Sequence, residues 1–128
     1  MKKVFTIGRI SLGLAYLIYG YLHFTNTAAD ASLVPDGIGS KTFWVIFIGI
    51  CWWAVALSFF TNVLTRLSGI LASVVLASIL CFTILPHFNH PGSWLSIGSI
   101  CSVIGGSLMV SSMGTMWPSG FLKAKADR

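Results

Sequence analysis

Thr42–Phe60 reads TFWVIFIGICWWAVALSFF, a run with no charged residue and no proline. About 20 apolar residues, each rising ~1.5 Å along a helix, cross the ~30 Å hydrocarbon core of a bilayer. In that solvent the backbone must satisfy its own hydrogen bonds, so a run of this length reads as a helix. Working outward, three more runs of similar length appear at Val4–Phe24, Leu64–Leu85 and Trp94–Met113. The pattern predicts an all-α, polytopic membrane protein: an antiparallel four-transmembrane-helix bundle with spans at 4–24, 42–60, 64–85 and 94–113. A basic tail follows at 118–128. Residues 1–128 form a single membrane domain.

The separators carry turn chemistry. Between the first two spans lie Asn26, Asp30, Pro35, Asp36, Gly37 and Gly39. The second and third spans are joined by a tight link at Thr61, Asn62 and Val63. Pro86 ends the third span, and Pro91-Gly92 marks a turn before the fourth.

Composition supports the same class. The chain has 128 residues, 55% hydrophobic and 9% charged, with a mean hydropathy of +0.86. A soluble domain carries roughly a quarter charged residues, and so short a chain has too much surface to hide this much apolar matter from water. A soluble monomer, a disordered chain and a nucleic-acid binder are all poor fits on this ground, despite a net charge of +5. The bilayer is the expected partner, with basic ends beside anionic headgroups. The acidic residues are Asp30, Asp36 and Asp127, none inside a hydrophobic run. A buried carboxylate pair of the hydrolase type is therefore absent. Cys51, Cys81 and Cys101 form no C-x-x-C pair, which disfavours a thiol–disulfide relay and leaves three small apolar side chains.

Lys and Arg set the orientation. Lys2, Lys3, Arg66, Lys123, Lys125 and Arg128 share one side, with Arg9 just inside the membrane, whereas Lys41 alone marks the other. Both termini are expected in the cytoplasm. Trp44, Trp94 and Trp117 fall near the interfaces, while Trp52 and Trp53 fall near the membrane centre. Met1-Lys2-Lys3 before an apolar stretch has the look of a secretory signal, but the stretch is long and holds Arg9 and His23, so it reads as a span. Small residues recur at four-residue steps: Gly69, Ser73, Ala77 and Cys81 in the third span, Gly98, Ser102 and Gly106 in the fourth. These stripes are expected to face each other or neighbouring helices in the antiparallel bundle.

Function is written in fewer residues. Arg9, Leu12, Tyr16, Tyr19 and His23 share one face of the first span. Polar residues in a bilayer usually face a bundle interior or cavity. Two readings stand: interfacial anchors, with Arg9 snorkelling to phosphates, or the wall of a polar pocket. His23, His87 and His90 gather at the outer surface. A metal site is disfavoured, because His87-x-x-His90 lacks a nearby Glu and its loop holds two prolines; heme is disfavoured because no histidine lies mid-helix. Hydrogen bonding to a ligand head is the better use, with Tyr19 and His23 as partners. Trp52 and Trp53 point about 100° apart, so only one can wall a pocket for a flat ring such as a quinone. The candidate ligand-binding set is Arg9, Tyr16, Tyr19, His23, Trp53, His87 and His90. No catalytic residue is assigned.

Arg9-Ile10-Ser11-Leu12-Gly13, Tyr19-Gly20-Tyr21-Leu22-His23-Phe24, Leu33-Val34-Pro35, Phe43-Trp44 with Gly49, and Arg66 before the third span occur in order. In this arrangement the chain resembles the DoxX-like family of small four-helix membrane proteins. The resemblance implies a bacterial inner-membrane bundle linked to redox chemistry. Some relatives are subunits of quinone-reducing sulfur oxidoreductases. It further implies an accessory subunit with a membrane or periplasmic redox partner protein, in a homo- or hetero-oligomer. Many relatives carry an acidic residue after the second-span glycine. This chain has Ile50-Cys51-Trp52-Trp53 there, so proton handling by that group does not carry over. The alternatives are a non-enzymatic scaffold or oligomerising subunit, and a small solute transporter, which the scarcity of charge in spans two to four disfavours.

The orientation makes a direct prediction. In a background without the native cysteines, an impermeant thiol reagent added outside sealed cells labels Asn89→Cys and not Arg128→Cys. Labelling of both from outside overturns the arrangement.

Overall fold

The computed structural model describes residues 2–87, 89 and 93–114. These residues form helices α1 (Lys2–Thr25), α2 (Thr27–Ser32), α3 (Lys41–Thr61), α4 (Thr65–Ile79) and α5 (Ser93–Met113). α4 continues as a π-helical turn, Leu80–Ile84, and a 3₁₀ turn, Leu85–His87. Among the described residues there is no strand. Among the described residues four helices are long and apolar enough to cross a membrane: Lys3–Thr25, Lys41–Thr61, Thr65–Ile84 and Trp94–Met113.

The ends of these helices follow from local chemistry. Ser40 caps α3, its hydroxyl accepting from the Phe43 N–H at 3.4 Å. Asn62 closes α3 in the left-handed region, φ 57°, and Leu64 opens α4 at φ 54°. Leu64 is the unusual member of the pair, because a branched side chain is poorly tolerated there. The link is held by the Ser58 hydroxyl, which donates to the Val63 carbonyl at 2.6 Å. At the far end of α4, Pro86 has no N–H to give the preceding turn and its ring crowds the carbonyl four residues back. Regular α winding stops at Ile79, short of the continuous helix that the hydrophobic run alone predicts.

One element was hidden in the first loop. Thr27–Ser32, which reads as part of a turn segment, is a short helix. Thr27 anchors it by donating to the His23 and Phe24 carbonyls at 2.8 and 3.0 Å. The true turn comes later, where Gly37 and Gly39 adopt φ of 96° and 88°. Lys41 Nζ lies 2.6 Å from Asp36 Oδ1, and its hydrogen bond and charge hold the Asp36 carboxyl below the usual range. Such a pair stabilises above the unfolded carboxyl pKa and loses its effect as pH falls through the lowered native one. Exposed to water, it contributes little.

α1 packs along α3, and α4 along α5; the two pairs meet through α1–α5 and α3–α4 contacts. The core at their junction is Tyr16, Trp52, Val55, Ala56, Phe59, Ala72, Leu76 and Val110. Outward faces are apolar too, with Leu17, Ile50, Leu57, Val74, Phe82 and Met109 exposed.

The small-residue stripes meet neighbouring helices over part of their length and do not face each other. Gly69 and Ser73 are buried, but Ala77 and Cys81 are exposed. Gly69 meets Ser107 and Ser111 of α5, not the Gly98-Ser102-Gly106 row. Gly98 has nothing within 4 Å of where a Cβ would stand, and Gly106 faces Leu12 of α1. The reason is helical pitch. Steps of four overshoot the 3.6-residue turn by roughly 40° each, so a stripe leaves a straight interface after about two steps.

Close approach at two glycines gives a stability prediction. A Cβ at Gly69 would stand 2.8 Å from the Ser107 carbonyl oxygen, and one at Gly20 2.9 Å from that of Gly49. Gly69→Ala and Gly20→Ala each lower stability by about 1–3 kcal/mol, the usual cost of overpacking. Gly98→Ala is neutral or slightly stabilising, because nothing lies in its way. Thermal unfolding in detergent measures the difference.

Candidate functional site

At the end of the bundle where α1 finishes and α3 begins, the helices diverge around a cavity of about 310 Å³. Its floor is apolar: Val45, Ile48 and Trp52 from α3, Leu76 and Ile79 from α4, and Ile100 from α5. Tyr19 and His23 enter from α1 and Asp30 from α2, with Leu33 and Val34 just beyond it. The π-helical turn adds Thr83 and Ile84, and the first turns of α5 add Ser96 and Ser99.

Neighbouring hydrogen bonds hold the polar groups in place. His23 Nδ1 donates to the Tyr19 carbonyl at 2.9 Å and lies 4.0 Å from Asp30 Oδ2. Ser99 donates to the Ser96 carbonyl at 3.0 Å. Beneath the cavity, Tyr16 stacks on Trp52 with ring centroids 5.3 Å apart and meets the Tyr19 ring edge-on. The Tyr16 hydroxyl pairs with Ser107 Oγ at 2.6 Å, tying α1 to α5. A tyrosine buried this completely keeps its ring in the core only if its hydroxyl finds a partner.

The polar face of the first helix points inward along its length. Arg9 is only 8% exposed, and its guanidinium donates to the carbonyls of Phe59 and Phe60. Those carbonyls belong to the last turn of α3, where no intrahelical donor remains and the helix dipole is negative. The snorkelling role is thereby replaced: Arg9 caps a neighbouring helix. Its Nε has no partner among the described residues.

The expected ligand-binding residues do not all meet. Tyr19 and His23 line the cavity; Tyr16 lies in the core below it; Arg9 is at the opposite end of α1. Trp53 is 45% exposed on the outside of the α1–α3 pair, donating to the Leu17 carbonyl at 3.2 Å and packing edge-on against Phe24. Trp52, 2% exposed, takes the inner position. One signal for this was in the sequence, because Val45, Trp52 and Phe59 recur every seven residues on one helical face. Asp30 had no such signal, as its placement depends on α2. The side chain of His87 and the whole of His90 fall outside the described residues, as do Trp117 and the 118–128 tail.

A second hollow, of about 470 Å³, lies between α1 and α5 against Phe5, Leu12, Met109 and Met113. It offers no polar side chain and no chemistry beyond apolar contact. Among the described residues no three His, Cys, Asp or Glu side chains gather closely enough to hold a metal ion. The three cysteines are free.

Compared with known proteins, the chain matches no family model, no curated sequence and no solved structure.

The two adjacent tryptophans separate the core from the outer surface. Trp52→Ala costs about 3–5 kcal/mol, as for a large aromatic removed from a packed core. Trp53→Ala costs about 1 kcal/mol, the usual figure for a single substitution. Denaturant titration of the purified variants measures both; equal losses would contradict the inside–outside assignment.

Proposed function

We propose that this is an integral membrane protein that binds a lipophilic ligand with a polar head in the cavity rimmed by Tyr19, His23 and Asp30. The four long helices cross a bacterial inner membrane as an antiparallel bundle. The order of contacts supports that arrangement: Arg9 meets Phe59 and Phe60, Gly13 meets Phe60, and Gly20 meets Trp53 and Gly49. Numbering rises along α1 as it falls along α3. The bias of Lys and Arg supports an orientation with both termini in the cytoplasm and the cavity at the outer leaflet.

The observation that carries the reading is the cavity's two-part lining. An apolar floor of Val45, Ile48, Trp52 and Leu76 sits beneath polar groups from α1, α2, the π turn and α5. Mostly apolar concavities with a few convergent polar groups are where small ligands bind. A quinone in its oxidised or reduced form is a ligand of fitting class, and the resemblance to DoxX-like proteins suggests an accessory role in a membrane redox system. Arg9 and Tyr16 support the site from a distance by fixing α1 against α3 and α5. Gly98 and Gly105, open on the outer face of α5, leave room for the closest approach of another helix and favour assembly with a second subunit.

Native mass spectrometry of the detergent-purified protein tests both parts, reporting copies and bound small molecules together. The expected result is a co-purified lipophile whose occupancy falls at least tenfold in His23→Ala and Tyr19→Phe. Protein that carries no such molecule, and takes up no added quinone or quinol, overturns the ligand reading.

A further inference from the structure

The polar groups around the cavity differ in the direction of the hydrogen bonds left to them. The Tyr19 carbonyl can only accept, so the His23 Nδ1 2.9 Å from it carries the proton. A neutral ring then presents a lone pair at Nε2. The carboxylate of Asp30, its Oδ2 4.0 Å from the same Nδ1, accepts. Ser99 directs its hydroxyl proton to the Ser96 carbonyl at 3.0 Å and keeps its lone pairs for other partners. Tyr19 can donate or accept. His23, Asp30 and Ser99 therefore offer acceptors, drawn from α1, α2 and α5.

The geometry points to a ligand that donates hydrogen bonds: a membrane-soluble phenol or hydroquinone, bound in preference to a ring bearing only carbonyl or ether oxygens. This inference rests on the reading of the cavity as a ligand site and adds the sign of its selectivity. A carbonyl oxygen placed among His23, Asp30 and Ser99 sets lone pairs against lone pairs, and of these three groups and Tyr19 it is Tyr19 that can donate. A hydroxyl in the same place satisfies His23 or Asp30. An acceptor set against an acceptor loses the bond that a hydroxyl would make there, so the difference appears as rejection of the wrong ligand. Sites built to pair with a ligand hydroxyl reject analogues lacking it far more strongly than apolar pockets reject a missing methylene. The apolar floor of Ile48, Trp52 and Leu76 accepts either ring equally, so discrimination falls to the rim.

The test compares 4-butylphenol with 4-butylanisole, its methyl ether, on the full chain in lipid nanodiscs. Tryptophan fluorescence reports binding, each ligand corrected for partition into empty nanodiscs, in alkaline buffer where imidazole as a class is neutral. The expected result is binding of the phenol at least tenfold tighter than its ether. That preference falls to threefold or less in Asp30→Asn and His23→Phe. The native-protein comparison stands even if a variant fails to fold. Equal binding of phenol and ether, or tighter binding of a quinone than of its quinol, overturns the donor selectivity while the ligand site stands. Binding of none of these probes overturns the site itself, and the inference with it.

Discussion

A guanidinium held by the open end of a neighbouring helix sets the register of this molecule. Arg9 reaches the Phe59 and Phe60 carbonyls at the point where α3 has exhausted its own donors. With that contact made, Gly13 comes to lie against Phe60, Tyr16 against Trp52 and Phe59, and Gly20 against Trp53 and Gly49. One more turn brings His23 to the cavity. A slip by a single residue would move each side chain by about 100° around the helix. It would drive the Trp53 ring against a side chain where Gly20 leaves space. A charge in an apolar bundle is costly, and its retention at this position is understandable as the device that defines pairing between α1 and α3.

The fold was largely legible from hydropathy, because length and apolarity are properties each segment carries on its own. Helix bounds at both ends of α1, α3 and α5 lie within two residues of the hydrophobic runs. What could not be read depended on other segments. α2 has no buried residue and no hydrophobic period; it exists by virtue of Thr27 and the end of α1. Small residues every fourth position look like an interface in a linear string, yet the pitch of the helix carries Ala77 and Cys81 out of it. Adjacent Trp52 and Trp53 are indistinguishable in composition, and only the seven-residue recurrence of Val45, Trp52 and Phe59 separates them.

The cavity brings together features that the sequence left scattered. The polar face of α1 supplies Tyr19 and His23, as its periodicity implied. Asp30 arrives on a short helix that sequence patterning did not show, placing a carboxylate near an imidazole without any acidic residue inside a long apolar run. The chain thus keeps its four long apolar helices free of Asp and Glu while presenting one carboxylate at the rim. Below it, the stack of Tyr16 on Trp52 and the bond to Ser107 give the floor a rigid support.

The wide turn at Leu80–Ile84 has a bearing of its own. A π turn closes its hydrogen bonds one residue later than an α turn. The stretch beyond Ile79 is therefore wound on a different pitch from Thr65–Ile79, which makes the longer seam with α5. Thr83 and Ile84, consecutive and unlike in polarity, both reach the cavity. Through this change of gear, the lining can be respelled without disturbing the seam at Gly69 and Ser73. The same polypeptide is a fixed frame below and an adjustable collar above.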